Sequence, residues 1–238
     1  MKKLICAVLG TCLVAATHAS AATLLFDFGS ATTPTGGNYN NIDPSQQPIL
    51  NAIDSSGAPT GIGLTSSGFN ELGPNTNGTL APGGAAAIFD AQATRDNLFG
   101  HSTNFNAPSP RPQGLLNLTG LDGSGATAYS FTFFGSRLGV SDNRETAYAV
   151  TGANASTVYL DSSNNVNNVA VASGIVPTAG GTVSITVGAG PNNTNTDSFF
   201  YYLGAMQIES TRVPEPASIA LGVVGLAGVA VRRRLRVS

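Results

Sequence analysis

The feature that most restricts the fold of this chain is the alternation of large apolar and small polar residues in its second half. Aromatic side chains occupy every second position through much of 126–137, and Val and Ile do so in 182–190. A period of two matches a β-strand, whose successive side chains point to opposite faces. Disorder is the competing interpretation, because Gly and Asn are abundant, but a solvated chain does not need this alternation.

Clusters of Gly, Asn, Asp and Pro separate the apolar runs at short, regular intervals, as in antiparallel β-sandwiches. We therefore predict an all-β fold, a single jelly-roll-like antiparallel β-sandwich over residues 22–212, with its first and last strands close together. A short helix is predicted for 48–53. The predicted strands are 23–30, 61–65, 86–90, 126–137, 145–152, 156–163, 169–173, 182–190 and 198–210.

The N-terminus has the pattern of a secretory signal peptide. Lys2 and Lys3 precede a short apolar run, and Ala19-Ser20-Ala21 supplies the small residues of a cleavage site. We predict a signal peptide over residues 1–21. A retained membrane anchor is the alternative, but the apolar run is shorter than the ~20 residues that a span needs.

Both cysteines, Cys6 and Cys12, lie inside this leader. A lipoprotein site at Cys12 is disfavoured, because Thr11 is bulkier than the small residue expected before such a cysteine. The ectodomain is therefore predicted to have no disulfide and to depend on core packing alone.

The C-terminus carries three features in sequence. The motif Val213-Pro214-Glu215-Pro216 is followed by a charge-free segment over 217–231. The two prolines prevent a helix through Glu215, and the apolar segment predicts one short transmembrane helix. The positive-inside tendency places the basic residues that follow it in the cytoplasm. Those residues are Arg232, Arg233, Arg234 and Arg236.

This order of motif, apolar segment and arginine cluster resembles the PEP-CTERM sorting signal of Gram-negative bacteria. The resemblance implies that residues 213–238 are recognised by an exosortase-type transpeptidase in the inner membrane. It also implies that the protein then reaches the cell surface or the extracellular space. A plain single-pass anchor without processing is the alternative.

The charge of the ectodomain excludes one class of partner. Residues 22–212 contain five arginines, no lysine and twelve carboxylates, for a net charge of −7. Such a surface repels phosphate backbones, so we predict that nucleic acid is not a partner.

The second half also resembles β-sandwich domains of the galactose-binding-like type, which often accompany bacterial polysaccharide-processing proteins. The stretches that carry this likeness are YSFTFFGSR, DNRETAYAVTG, TVSITVGAG and SFFYYLGAMQI. The resemblance implies that loops at the edge of the sandwich contact an extracellular polysaccharide.

Five residues are candidates for ligand contact. Asp142, Arg144 and Glu145 form the densest charged cluster, which is either a sugar-binding rim or a turn held by an ion pair. We favour the turn, because exposed pairs of this kind are common and individually weak. Strand alternation predicts that at least one of Tyr201 and Tyr202 faces outward.

No catalytic residue, no metal ligand and no cofactor is predicted. His101 is the only histidine of the ectodomain and no Gly-x-Ser-x-Gly motif accompanies it, so a turn residue at the surface is the favoured interpretation. One His without Cys excludes a zinc site. The oxygen-rich segments 161–165 and 192–197 raise calcium as an alternative, although Asn and Asp are also ordinary turn residues.

These observations predict an exported, non-catalytic adhesion or glycan-contact module. An extracellular hydrolase that acts on polysaccharide is the alternative, and a matrix protein that only self-associates is a third hypothesis.

Overall fold

The computed structural model describes residues 22–103, 105 and 109–213. The predicted signal peptide, the transmembrane helix over 217–231 and the arginine cluster lie outside the described residues. Within the part of the chain that is described, no helix combines the length and hydrophobicity that a membrane crossing requires.

The described residues consist mainly of β-strands, with a single 3₁₀ helix at Gly84–Ile88 and one turn of α-helix, α1 (Ala91–Thr94). In chain order the strands are β1 (Thr23–Phe28), β2 (Tyr39–Ile42), β3 (Gly63–Ser67), β4 (Leu98–Gly100), β5 (Gln113–Thr119), β6 (Thr127–Phe134), β7 (Glu145–Thr151), β8 (Ala155–Asp161), β9 (Ala170–Ile175), β10 (Val183–Ala189), β11 (Tyr201–Leu203) and β12 (Ala205–Arg212).

Two five-stranded sheets form the predicted sandwich. The first has the order β2-β1-β12-β6-β9 and the second the order β3-β5-β10-β7-β8, while β4 and β11 pair as a short ribbon. The first strand, β1, is hydrogen-bonded to the last, β12, which confirms the prediction that the first and last strands lie close together. Neighbouring strands are antiparallel except for β1 and β2, which run parallel.

The residues that alternate in the sequence fill the space between the sheets. Leu24, Phe26 and Phe28 of β1 are buried, as the pattern predicted. Between the sheets, the ring of Phe133 on β6 stacks on Tyr148 of β7 with centroids 4.5 Å apart. Burial of each such side chain contributes about 1.5–3 kcal/mol, which suits a domain that lacks disulfides.

Two predicted elements are wrong. Residues 48–53 form no helix, because Ile49 and Ile53 instead make isolated bridges to extended backbone. The predicted strand 86–90 overlaps the 3₁₀ helix, whose three consecutive alanines favour helical turns and lack a period of two.

The predicted strand 198–210 is two strands in different sheets. The chain changes sheet at Gly204, where the Gly204 N–H donates to the Phe134 carbonyl at 2.8 Å. A Cβ at this position would lie 2.8 Å from Asn97 Oδ1, so a glycine is needed at the crossing.

Candidate functional site

The end of the sandwich where β10 ends and β7 begins gathers the charged candidates. We call Asp142, Arg144, Asn195, Phe200 and Tyr202 the Arg144 cluster. Arg144 Nε donates to Asp142 Oδ1 at 3.1 Å, and Arg144 Nη1 donates to the Tyr202 hydroxyl at 2.6 Å. The guanidinium carbon lies 5.1 Å from the centroid of the Phe200 ring, within range of a cation–π interaction.

Two loops are joined at this cluster by short polar side chains. Asn143 N–H donates to Thr194 Oγ1 at 2.9 Å, and Thr194 N–H donates back to the Asn143 carbonyl at 2.9 Å. Asn195 Nδ2 donates to Asp142 Oδ2 at 2.6 Å. The segment before β7 and the loop after β10 therefore behave as one surface, although about fifty residues separate them in sequence.

Glu145 holds the loop that follows β10. Its carboxylate is buried, and it accepts from the Asn192 N–H at 2.9 Å and from Asn192 Nδ2 at 3.0 Å. Both carboxylate oxygens are thus engaged by the same asparagine. Glu145 fixes the position of the 190–200 loop, and it does not present its charge to solvent.

The expectation that Tyr201 or Tyr202 faces outward is wrong, since both side chains are buried. The two side chains lie on opposite sides of β11, as alternation predicts, but other residues pack against both sides. Tyr201 packs on Phe69, with ring centroids 6.1 Å apart. Tyr202 packs on Phe99 at 6.3 Å, and burial raises the pKa of its hydroxyl.

His101 is buried, which corrects its interpretation as a surface turn residue. Its Nδ1–H donates to the Thr103 carbonyl, so Nδ1 carries the proton. The imidazole packs on Phe105 with centroids 5.7 Å apart and on Phe200 at 6.1 Å. The histidine therefore supports the aromatic side of the Arg144 cluster.

Phe105, which we add to the Arg144 cluster, and Phe200 are candidate contact residues that the sequence did not indicate. Their rings meet edge to face with centroids 4.8 Å apart. Phe105 is 36% exposed, and Phe200 is half-buried beneath the guanidinium. The Phe199-Phe200 doublet was visible in the sequence, but nothing local indicates which ring reaches the surface.

Hydrogen bonds within the Arg144 cluster determine the protonation state of Asp142. Burial alone would raise the pKa of Asp142, but hydrogen bonds from Arg144 and Asn195 outweigh that effect and lower the pKa overall. The carboxylate is therefore ionised at neutral pH. A glycosidase acid needs the opposite shift, because it must hold a proton near neutral pH.

In the two oxygen-rich segments that were considered as calcium sites, side-chain oxygens accept hydrogen bonds within turns. Asp161 Oδ1 accepts from the Ser163 N–H at 2.9 Å, and Asn193 Oδ1 accepts from the Asn195 N–H at 3.0 Å. Across the described residues, no three His, Cys, Asp or Glu side chains are grouped to hold a metal ion.

Comparison with solved structures gives two similar chains. TmCBM61, solved in complex with β-1,4-galactotriose, is 12% identical with a TM-score of 0.25, over 50% of this chain and 72% of that chain. The exo-β-1,3-galactanase of Phanerochaete chrysosporium, solved with galactose, is 16% identical with a TM-score of 0.29. That match covers 65% of this chain and 35% of the galactanase. Structural similarity at these TM-scores is too low to indicate a function.

No curated protein matches the chain. Residues 212–234 match the family model described as the PEP-CTERM protein-sorting motif. This match confirms the resemblance noted from Pro214-Glu215-Pro216 and the residues that follow. The chain is therefore an exported protein that carries a PEP-CTERM sorting signal at its C-terminal end.

Proposed function

We propose that the protein is a non-catalytic surface or matrix module that contacts extracellular polysaccharide through the Arg144 cluster. In this proposal residues 1–21 are a signal peptide, 22–212 are the ectodomain and 213–238 are the sorting signal. An exosortase-type transpeptidase in the inner membrane processes the signal. The observation that supports the glycan contact is the exposed ring of Phe105, which packs edge to face on Phe200 beneath a fixed guanidinium.

The position of the sorting motif supports processing next to a folded domain. β12 lies between β1 and β6 and extends to Arg212, where the motif match begins. Val213 N–H still donates to the Ala126 carbonyl at 2.9 Å. β12 ends ahead of Pro214-Glu215-Pro216, so cleavage near Glu215 would leave every described strand intact.

The chemistry of the Arg144 cluster suits a sugar. A sugar ring has an apolar C–H face and a rim of hydroxyls, so its binding surfaces combine an aromatic side chain with a few fixed polar groups. Here Phe105 supplies the aromatic surface, and Asp142 and Asn195 supply oxygens and an amide on half-buried side chains. The rigid fork of Arg144 is held by Asp142 and Tyr202 before any ligand arrives, which limits the entropy lost on binding.

A hydrolase is the alternative, and two contacts weigh against it. Glu145 is buried with both oxygens bonded to Asn192. Asp142 has a lowered pKa and is paired with Arg144. Neither carboxylate combines solvent access with a retained proton, whereas acid catalysis of glycoside cleavage needs both.

Binding of the full chain, in mild detergent, to the extracellular polysaccharide fraction of the exporting bacterium tests this function. We expect Phe105→Ala and Phe200→Ala to weaken binding by up to about tenfold, since an aromatic contact contributes about 0.5–1.5 kcal/mol. Tyr159→Ala is the matched control, because Tyr159 is 49% exposed on β8 and outside the cluster.

Unchanged binding by both Phe variants would contradict the assignment of the Arg144 cluster. Release of sugar fragments by the parent protein, abolished in Asp142→Asn or Glu145→Gln, would favour the hydrolase. Self-association without any polysaccharide binding would favour the matrix hypothesis.

A further inference from the structure

Two buried carboxylates converge beside Gly29, directly after β1. Asp27 lies on β1, and Asp96 lies between α1 and β4; they are 2% and 1% exposed. The Oδ1 atom of each has no hydrogen-bond partner. A Cβ built on Gly29 would lie 1.9 Å from Asp96 Oδ1 and 3.2 Å from Asp27 Oδ1. Asp96 Oδ1 therefore packs directly against Gly29, and Asp27 Oδ1 lies close to the same point.

The approach of these two carboxylates depends on the absence of a side chain at residue 29. The φ of Gly29 lies outside the left-handed region, so its backbone conformation is open to any residue. The glycine is therefore needed for room and not for conformational freedom. The Cβ of an alanine would overlap Asp96 Oδ1 and push the carboxylate away.

A third oxygen belongs to the same place. Thr35 is buried, and its N–H donates to Asp27 Oδ2 at 3.0 Å. Its Oγ1 lies close enough to Asp27 to lower the pKa of that carboxyl, but it makes no hydrogen bond of good geometry. Four buried side-chain oxygens of the described residues lack such a bond, and three of them are on Asp27, Thr35 and Asp96. Such atoms are costly to bury, so this group of oxygens needs a water or a cation beside it.

The charge balance at this point is negative. Arg95 Nη2 lies 3.2 Å from Asp96 Oδ2 and offsets one carboxylate from its outer side. Asp27 has no such partner, and burial raises its pKa to about 6. It is still mainly ionised at neutral pH. Asp43 adds a further carboxylate at the wall of the adjoining cavity.

That cavity connects Asp27 to the outside. Its volume is about 140 Å³, and Asp27, Gly29, Ser30, Asn41 and Asp43 line it. This volume has room for water. A small ion bound at Asp27 would therefore have an entry path and water to complete its coordination.

We propose that Asp27, Thr35 and Asp96 bind a calcium ion close to Gly29, between their unpartnered oxygens. The donors are all oxygen, which selects hard cations, and Ca²⁺ accepts irregular geometry and neutral ligands more readily than Mg²⁺ does. The ion fastens the loop over 29–38 to the segment that follows α1. This place differs from the two oxygen-rich segments that the sequence suggested.

With two carboxylates the affinity falls in the range of extracellular modules, a Kd of about 0.1–1 mM. The full chain, in mild detergent and stripped with EDTA, is titrated with CaCl₂ or MgCl₂ at constant ionic strength by calorimetry and by thermal unfolding. Calcium at ten times its Kd should raise the Tm by roughly 3–6 °C. Magnesium should have a smaller effect.

Asp27→Asn and Asp96→Asn should each abolish the calcium-dependent rise in Tm. Without calcium, Asp27→Asn should be at least as stable as the parent, because it removes a buried charge that has no cationic partner. Asp96→Asn also loses the ion pair with Arg95 and should be somewhat less stable. This combination distinguishes loss of a ligand from failure to fold. Asp197→Asn is the control, since Asp197 is exposed in the oxygen-rich loop 192–197 and should keep the full rise.

Absence of calcium binding by the parent protein would overturn the proposal. So would a rise in Tm that survives in both Asn variants, or one that disappears in Asp197→Asn. An equal response to magnesium and calcium would overturn the assignment of calcium.

Discussion

Replacement of Arg144 by methionine perturbs the Arg144 cluster at its centre. Methionine keeps much of the aliphatic stem and removes the guanidinium. Three interactions are lost: the ion pair with Asp142 at 3.1 Å, the hydrogen bond to the Tyr202 hydroxyl at 2.6 Å and the contact over Phe200. The Arg144 side chain is 12% exposed, so water replaces these interactions poorly.

The expected cost follows from how exposed each partner is. Asp142 is 25% exposed and is partly rehydrated in the variant, so loss of its ion pair costs about 0.5–1 kcal/mol. The buried Tyr202 hydroxyl loses a charged partner, which costs about 1–2 kcal/mol. The cation–π contact adds about 0.5–1 kcal/mol. Arg144→Met should therefore lower the free energy of unfolding by about 2–4 kcal/mol, and the Tm by roughly 4–16 °C.

Arg111→Met is the matched control. Arg111 pairs at 3.5 Å with Glu71, whose side chain is 63% exposed. Such a pair contributes about 0–1 kcal/mol. Thermal and urea unfolding of the two variants measures the difference, and equal losses of stability would contradict the role assigned to the Arg144 contacts.

The pH dependence of stability is a second test of the ion pair that Arg144→Met removes. The pKa of Asp142 in the folded protein is below its ordinary value of 3.8. The stabilisation from the pair is therefore fully present above that ordinary value and is lost as the pH falls through the folded pKa. The difference between parent and variant should shrink in acid, and a difference that is the same at pH 3 and pH 7 would contradict the assigned ion pair.

Two further predictions concern the core and the turns. Tyr148→Phe removes the hydroxyl that donates to the Tyr202 carbonyl at 2.7 Å, and should cost about 1–2 kcal/mol in denaturant unfolding, whereas Tyr159→Phe at an exposed position should cost less than about 0.5 kcal/mol. Gly125→Ala should cost about 1–2 kcal/mol from its positive φ alone, and Gly120→Ala should cost more, because its Cβ would also lie 2.3 Å from a backbone carbonyl. Equal effects within either pair would contradict these contacts.

The strands that could be predicted from the sequence are those in which one face is more deeply buried than the other. β1, β6 and β10 each bury one apolar face more deeply than the other, so their alternation is visible without a structure. β2 and β4 were missed because four and three residues are too few to show a period. β5 does alternate, with its even positions buried, but it directly follows a proline-rich segment that reads as a loop.

The site was predictable only where its contacts are local. Asp142 and Arg144 are two residues apart, so an ion pair in a turn could be inferred. Tyr202 is 58 residues from Arg144, and their contact depends on the ribbon of β11 with β4. Asp27 and Asp96 likewise meet only after the sheets have formed. Long-range contacts of this kind leave no periodic signal in a single sequence.

Export and processing are the centre of this account, and the mass of the exported protein tests them most directly. We expect protein recovered from the cell surface or medium to lack residues 1–21 and to end near Glu215. Replacement of Pro214-Glu215-Pro216 by alanines should leave an uncut precursor in the inner membrane. An exported protein that retains both termini, or normal release of the alanine variant, would contradict the account.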